Sequence, residues 1–260
     1  MALYKYSEGL YLMNFRMKIK TILISQPEPS NENSPYSKLK RKYNIKIDFR
    51  PFIHVEGLKA KKVRSQKVDF SKFNNIVLTS RNAVDHFFRI AEEMRFKVPD
   101  QTKYFCQSEA VAFYLQKYVV YRKRKIYVGN NNFNDLESTF QKFIGEKYLV
   151  PTSGSLNPGI INTLNSFEIS WDRVQLYKTV VSDLSDLSDV YYDLLVFFSP
   201  TGIDSLFKNF PDFEQNKTLI AVYGKTTLEA AKNKNLKVDI EVPNEESPSM
   251  ALGIENYINN

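Results

Sequence analysis

Residues 75–88 read "NIVLTSRNAVDHFF", and residues 193–207 read "DLLVFFSPTGIDSLF". Ser80 and Ser199, Val84 and Ile203, Asp85 and Asp204, and Phe88 and Phe207 are each 119 positions apart. Both copies hold an apolar run, a small polar turn, and then apolar residues at helical spacing. That pattern describes a strand entering a helix through a tight turn. The echo continues. "YFCQSEAVA" (104–112) matches "VYGKTTLEA" (222–230), with Ser108 opposite Thr226 and Ala112 opposite Ala230. "VGNNNFNDL" (128–136) lies opposite "VPNEESPSM" (242–250), each ending a strand and capping a helix. Two similar α/β units are expected to share the chain.

Outward from these stretches, strand-like runs alternate with helix-like runs, which implies parallel sheets covered by helices on both faces. Two segments break the alternation: "IKIDFRPFIHV" (45–55) and "DRVQLYKTVVS" (172–182). The first alternates at Ile45, Ile47 and Phe49 and contains Pro51, which suits an edge strand. Together the two segments suggest a two-stranded connector. The domain reading follows. Residues 17–44 plus 183–260 form a discontinuous α/β domain, 45–59 and 171–182 are linker strands, and 60–170 form an inserted α/β domain. Residues 1–16 precede the first clear strand, "KIKTILISQP", and read as a disordered extension.

Composition narrows the class. The chain has 260 residues, 43% hydrophobic and 25% charged, ordinary for a globular protein able to bury a core. A net charge of +7 favours an acidic partner. The single cysteine, Cys106, excludes an internal disulfide and a multi-cysteine zinc site and fits a cytoplasmic location. "TILI" and "LLVFF" are too short to span a bilayer, and the N-terminus makes a poor signal peptide. No dinucleotide or P-loop fingerprint is present, since "YGKTT" lacks the earlier glycine. His54 and His86 stand apart from any carboxylate or cysteine cluster, so neither a metal site nor a Ser-His-Asp arrangement is expected; His86 reads as a structural residue of an amphipathic helix. "YRKRK" (121–125) reads as a solvated loop rather than a nucleic-acid contact. Neither nucleic acid nor membrane is an expected partner.

The strand ends are rich in hydroxyls: "LTSRN", "FCQSE", "VPTSGS", "FSPTG", "YGKTT", "NEESPS". In open α/β sheets ligands bind outside the carboxyl ends of the strands, where helix N-termini offer free N–H groups to anions. A set of such turns could hold a molecule with many carboxylates. The same residues are ordinary helix caps, and no single turn separates the two readings.

The order of turns, the echo and "VQLYKTVV" together resemble the uroporphyrinogen-III synthase family over about residues 18–258. The motifs are Thr79-Ser80, Leu176-Tyr177-Lys178-Thr179, Ser199-Pro200, Gly224-Lys225-Thr226-Thr227 and Ser247-Pro248. Each is weak alone; their order and spacing are fairly specific. Two departures stand out. Cys106-Gln107-Ser108-Glu109 replaces a glycine turn and brings a negative charge, and Ser247 replaces a threonine. The resemblance implies two flavodoxin-like parallel-sheet domains joined by a two-stranded antiparallel linker, with an active-site cleft between them. It implies a lyase that cyclises hydroxymethylbilane to uroporphyrinogen III without a cofactor, inverting the terminal pyrrole and releasing water. Tyr177 would donate a proton to the departing hydroxyl; otherwise it packs as an aromatic strand residue. Thr79, Ser80, Ser108, Ser153, Ser199, Thr226, Thr227 and Ser247 would hold substrate carboxylates. The protein would act as a monomer. A non-catalytic two-lobed binder of a polyanion, a nucleic-acid binder and a degenerate relative are the other readings.

Overall fold

The computed structural model describes residues 19–129, 133–154, 156 and 158–259. The extension expected over residues 1–16 lies outside them. The chain divides into two compact units: one runs to Ile53 and resumes at Val181, and the other is His54–Val180.

Along the chain the strands and helices are β1 (Thr21–Ile24), α1 (Pro35–Tyr43), β2 (Lys46–Phe49), β3 (Ile53–Gly57), α2 (Ala60–Arg64), β4 (Asn75–Leu78), α3 (Arg81–Glu93), β5 (Lys103–Cys106) and α4 (Glu109–Leu115). Then follow β6 (Ile126–Val128), α5 (Glu137–Gln141), β7 (Lys147–Thr152), α6 (Pro158–Ser166), β8 (Ser170–Gln175) and β9 (Tyr177–Val181). The chain ends with β10 (Leu194–Phe197), α7 (Pro200–Asn209), β11 (Leu219–Tyr223), α8 (Lys225–Asn233), β12 (Ile240–Val242) and α9 (Met250–Asn259).

Each unit has a five-stranded sheet, ordered β2-β1-β10-β11-β12 in the first and β8-β7-β4-β5-β6 in the second. Every pairing in both sheets is parallel. The echo now has a physical meaning, because β4, β5 and β6 occupy the same sheet positions as β10, β11 and β12. The first unit has the flavodoxin-like order 2-1-3-4-5. The second has the same layout, but the chain enters it at the third position and fills the first two last. Even the echoed aspartates share a task. Asp85 in α3 pairs with Lys117 beyond α4, and Asp204 in α7 pairs with Lys234 beyond α8.

Alternation along the strands sorts the core into layers. In the second unit Ile76, Leu78, Tyr104 and Cys106 face α3 and α4, while Val77, Phe105, Tyr148 and Val150 face α5 and α6. In the first, Ile22, Ile24, Leu194 and Val196 face α1 and α9, while Leu23, Leu195, Phe197 and Val222 face α7 and α8. Burial on both faces explains why Ile76–Leu78 of β4 and all of β10 are apolar.

Each span expected to be a linker holds two strands. In 45–59, β2 is an edge strand of the first sheet, as Pro51 suggested, and β3 leaves it. In 171–182, β8 is an edge strand of the second sheet, and β9 follows after Leu176. β3 and β9 pair as a separate two-stranded antiparallel sheet, on which Lys178 bridges to Glu56 at 3.0 Å.

Burial holds several phenols protonated. Tyr36 and Tyr192 are each pushed up to about 12, and Tyr104 and Tyr148 higher still. Unfolded phenols ionise near pH ~10. The native state therefore binds more protons above that pH, and stability falls as pH rises through the folded values. Urea midpoints are expected to match at pH 8 and 9 and to drop clearly at pH 11. An unchanged midpoint at pH 11 would show that these rings do not govern alkaline stability.

Candidate active site

Thr79-Ser80 follow strand β4, and the extended backbone of Ser80 opens α3. Its Oγ accepts from the Ala83 N–H at 3.1 Å, an N-cap. The same Oγ lies 3.3 Å from the hydroxyl of Tyr177. Thus two residues singled out in the sequence meet at the carboxyl end of the second sheet. Tyr177 begins β9 and is 7% exposed. Burial raises its phenol above the usual range, partly offset by the Ser80 hydrogen bond, so it is protonated at neutral pH.

The Tyr177 ring stacks on His86, with centroids 4.8 Å apart and planes 19° from parallel. Arg89, one turn along α3, donates through Nε to His86 Nδ1 at 3.1 Å. The imidazole proton therefore sits on Nε2. Burial and the adjacent guanidinium hold His86 below its usual range, with Asp85 acting in the opposite sense. Arg89 also donates through Nη2 to the carbonyls of Leu58 at 2.9 Å and Leu176 at 3.2 Å, and pairs with Glu93. Gly57 fits this clamp because a Cβ there would lie 2.7 Å from the guanidinium.

Ser108 and Ser153 follow β5 and β7, the strands on either side of β4. Both are half-buried, as is Thr79. The side chain of Ser108 makes no capping hydrogen bond to α4. Gln175 Nε2 reaches both the Ser153 carbonyl at 3.2 Å and the Tyr177 carbonyl at 3.3 Å, tying the turn after β7 to the start of β9. The glycine missing from the Cys106 turn is explained. Two residues, Gln107 and Ser108, separate β5 from α4, whereas Gly224 alone separates β11 from α8. Gly224 bears φ +84°, which disfavours other residues. Glu109 is exposed in the first turn of α4, where the helix dipole favours a carboxylate.

In the first unit Ser199 caps α7, accepting from the Gly202 N–H at 3.1 Å. Thr226 is exposed at the start of α8. Beside them Phe198 stacks on Tyr223, with ring centroids 5.9 Å apart. Two of the expected contact residues are buried. Thr227 is 1% exposed and Ser247 5% exposed. The rotation of α8 turns Thr227 into the core. The Oγ of Ser247 already accepts from Asn256 Nδ2 of α9 at 3.0 Å, so both serve packing as they stand.

Sequence reasoning set His86 aside and passed over Arg89 and Gln175. The i, i+3 spacing of His86 and Arg89 on one helix was a local signal; their partners are distant in sequence. Among the described residues no group of histidine, cysteine and carboxylates could hold a metal, and no helix is long and apolar enough to cross a membrane.

A family model described as uroporphyrinogen-III synthase HemD matches residues 34–251. The chain belongs to the uroporphyrinogen-III synthase family. It is accordingly a cyclising lyase of tetrapyrrole biosynthesis. Solved structures agree in fold. A uroporphyrinogen-III synthetase from Helicobacter pylori is 14% identical with a TM-score of 0.58, over 93% of this chain and 99% of that one. A mutant uroporphyrinogen III synthase from the extremely thermophilic bacterium Thermus thermophilus is 13% identical with a TM-score of 0.53, over 92% and 99%. At these identities the likeness is one of fold alone. No curated protein matches the chain in sequence. Nothing in the family match favours the non-catalytic binding protein.

Proposed function

We propose that this member of the uroporphyrinogen-III synthase family closes hydroxymethylbilane with Tyr177 as proton donor. The observation that carries the role is a buried phenol kept protonated at a strand's carboxyl end, 3.3 Å from the Ser80 hydroxyl. The C–O bond to the terminal hydroxyl breaks as the phenol gives its proton, and water leaves. The cationic azafulvene is then attacked by the substituted carbon of the terminal pyrrole, giving a spiro intermediate whose rearrangement inverts that ring. The proton finally lost from the closing ring restores the phenol. The pyrroles supply the electrons, so the protein's task is largely to hold the reacting ends in attack geometry.

Carboxylates of the substrate are held by the hydroxyls of Thr79, Ser80, Ser108, Ser153, Ser199 and Thr226, with the N–H groups of the helix starts. The stacked Phe198 and Tyr223 offer a flat apolar surface to a pyrrole. The protein works as a monomer in the cytoplasm, without a cofactor.

The test is product identity. Uncatalysed closure joins the ends without inversion and gives uroporphyrinogen I; the protein is expected to divert product to uroporphyrinogen III. Ser199→Ala with Thr226→Ala is expected to weaken binding and raise the share of isomer I. The fold should survive, since a lost cap costs only about 1 kcal/mol. A protein that binds the bilane yet leaves the isomer ratio at its spontaneous value would overturn the catalytic reading.

A further inference from the structure

We propose that His86 is a positioning residue for Tyr177, its ring face fixing the plane of the phenol and hence the direction of the hydroxyl. The inference rests on the reading of Tyr177 as proton donor.

The Tyr177 ring packs in the core of the second unit, and its hydroxyl has one hydrogen-bond contact there, Ser80. The Ser80 contact of 3.3 Å is long for an O–H···O bond and weakly directional. The flat contact that sets the plane of the ring is its stack against His86 at 4.8 Å. A stack restrains only if its other member is fixed, and His86 is. Arg89 Nε holds Nδ1 at 3.1 Å, which sets both the tautomer and the ring orientation. Arg89 is itself fixed by three further partners: Glu93 of its own helix, the Leu58 carbonyl just beyond β3, and the Leu176 carbonyl. Leu176 immediately precedes Tyr177, so one guanidinium anchors both the imidazole beneath the phenol and the backbone that carries it. The close approach of Gly57 keeps room for that guanidinium. His86 has no place in the proton transfer itself; it acts through the tyrosine.

Two substitutions separate the ring from its polar atoms. His86→Gln keeps a polar side chain for Arg89 but removes the flat face. His86→Phe keeps the face but removes the acceptor. The expected result is that His86→Gln lowers kcat about tenfold to a hundredfold, as a displaced reacting group does, with KM for the bilane little changed. His86→Phe recovers part of that loss, since the flat face stays on α3 while its anchor to Arg89 is gone. In a Tyr177→Phe background His86→Gln is expected to add nothing, because the hydroxyl it positions is gone.

The positioning role is overturned if His86→Gln keeps full kcat, if it slows both backgrounds equally, or if His86→Phe is as slow as His86→Gln. Melting temperatures of all variants show whether an equal loss is merely structural. Full turnover in Tyr177→Phe overturns the donor reading and this one with it. A slow Tyr177→Phe beside an unaffected His86→Gln overturns only the positioning role.

Discussion

Replacing Tyr177 with phenylalanine is expected to lower kcat about 10²–10⁴-fold, the usual loss when one general acid is removed, with little change in affinity for the bilane. The ring stays, so its stack on His86 and its place in the core of the second unit survive. Only the hydroxyl and its contact with Ser80 are lost. The fold should hold: one partly buried hydrogen bond contributes about 0.5–1.5 kcal/mol, and the circular dichroism spectrum is expected to match the wild type. An effect confined to kcat would place the hydroxyl in the transition state rather than in ground-state binding. The elimination is intrinsically easy, and water or a substrate carboxylate standing in for the phenol would shrink the loss. Full turnover in the variant would remove Tyr177 from the chemistry while leaving the family assignment intact.

The second large effect is on stability. Phe105→Ala is expected to cost about 3–5 kcal/mol, as deletion of a buried aromatic ring typically does. Phe105 lies in β5, fully buried, with ring centroids of Phe140 at 4.8 Å and of Tyr127 and Tyr148 at 5.1 Å. Rigid rings on several sides leave little that can collapse into the space. Domains are stable by only about 5–15 kcal/mol, so urea unfolding should shift strongly. A loss under about 1 kcal/mol would mean that α5 and α6 close over the gap. Because Phe105 faces away from α3, the Tyr177 site should keep its activity in protein that remains folded.

The contrast between these two residues shows where the sequence was informative. β5 was legible because alternation and turn chemistry are local: a strand's period and a helix cap are written in neighbouring residues. The offset echo makes Ser80 and Ser199 equivalent in the sequence, and both cap their helices. The two solitary extended segments pointed to a paired connector, and β3 and β9 pair. Yet their first halves, β2 and β8, joined the main sheets. Extended residues alone do not say which neighbour will satisfy their N–H and C=O groups.

By itself, then, the sequence determined the strands, the caps, the repeated plan and the family, all of which rest on residues close together or on their order. The tertiary structure alone decided the rest. It turned Thr227 and Ser247 inward, through helix rotation and a bond from Asn256. It laid His86 under Tyr177 and ran Arg89 to Leu58 and Leu176. The contacts of His86 and Arg89 join residues tens of positions apart. They exist only once strand register and helix rotation are fixed by packing the whole core.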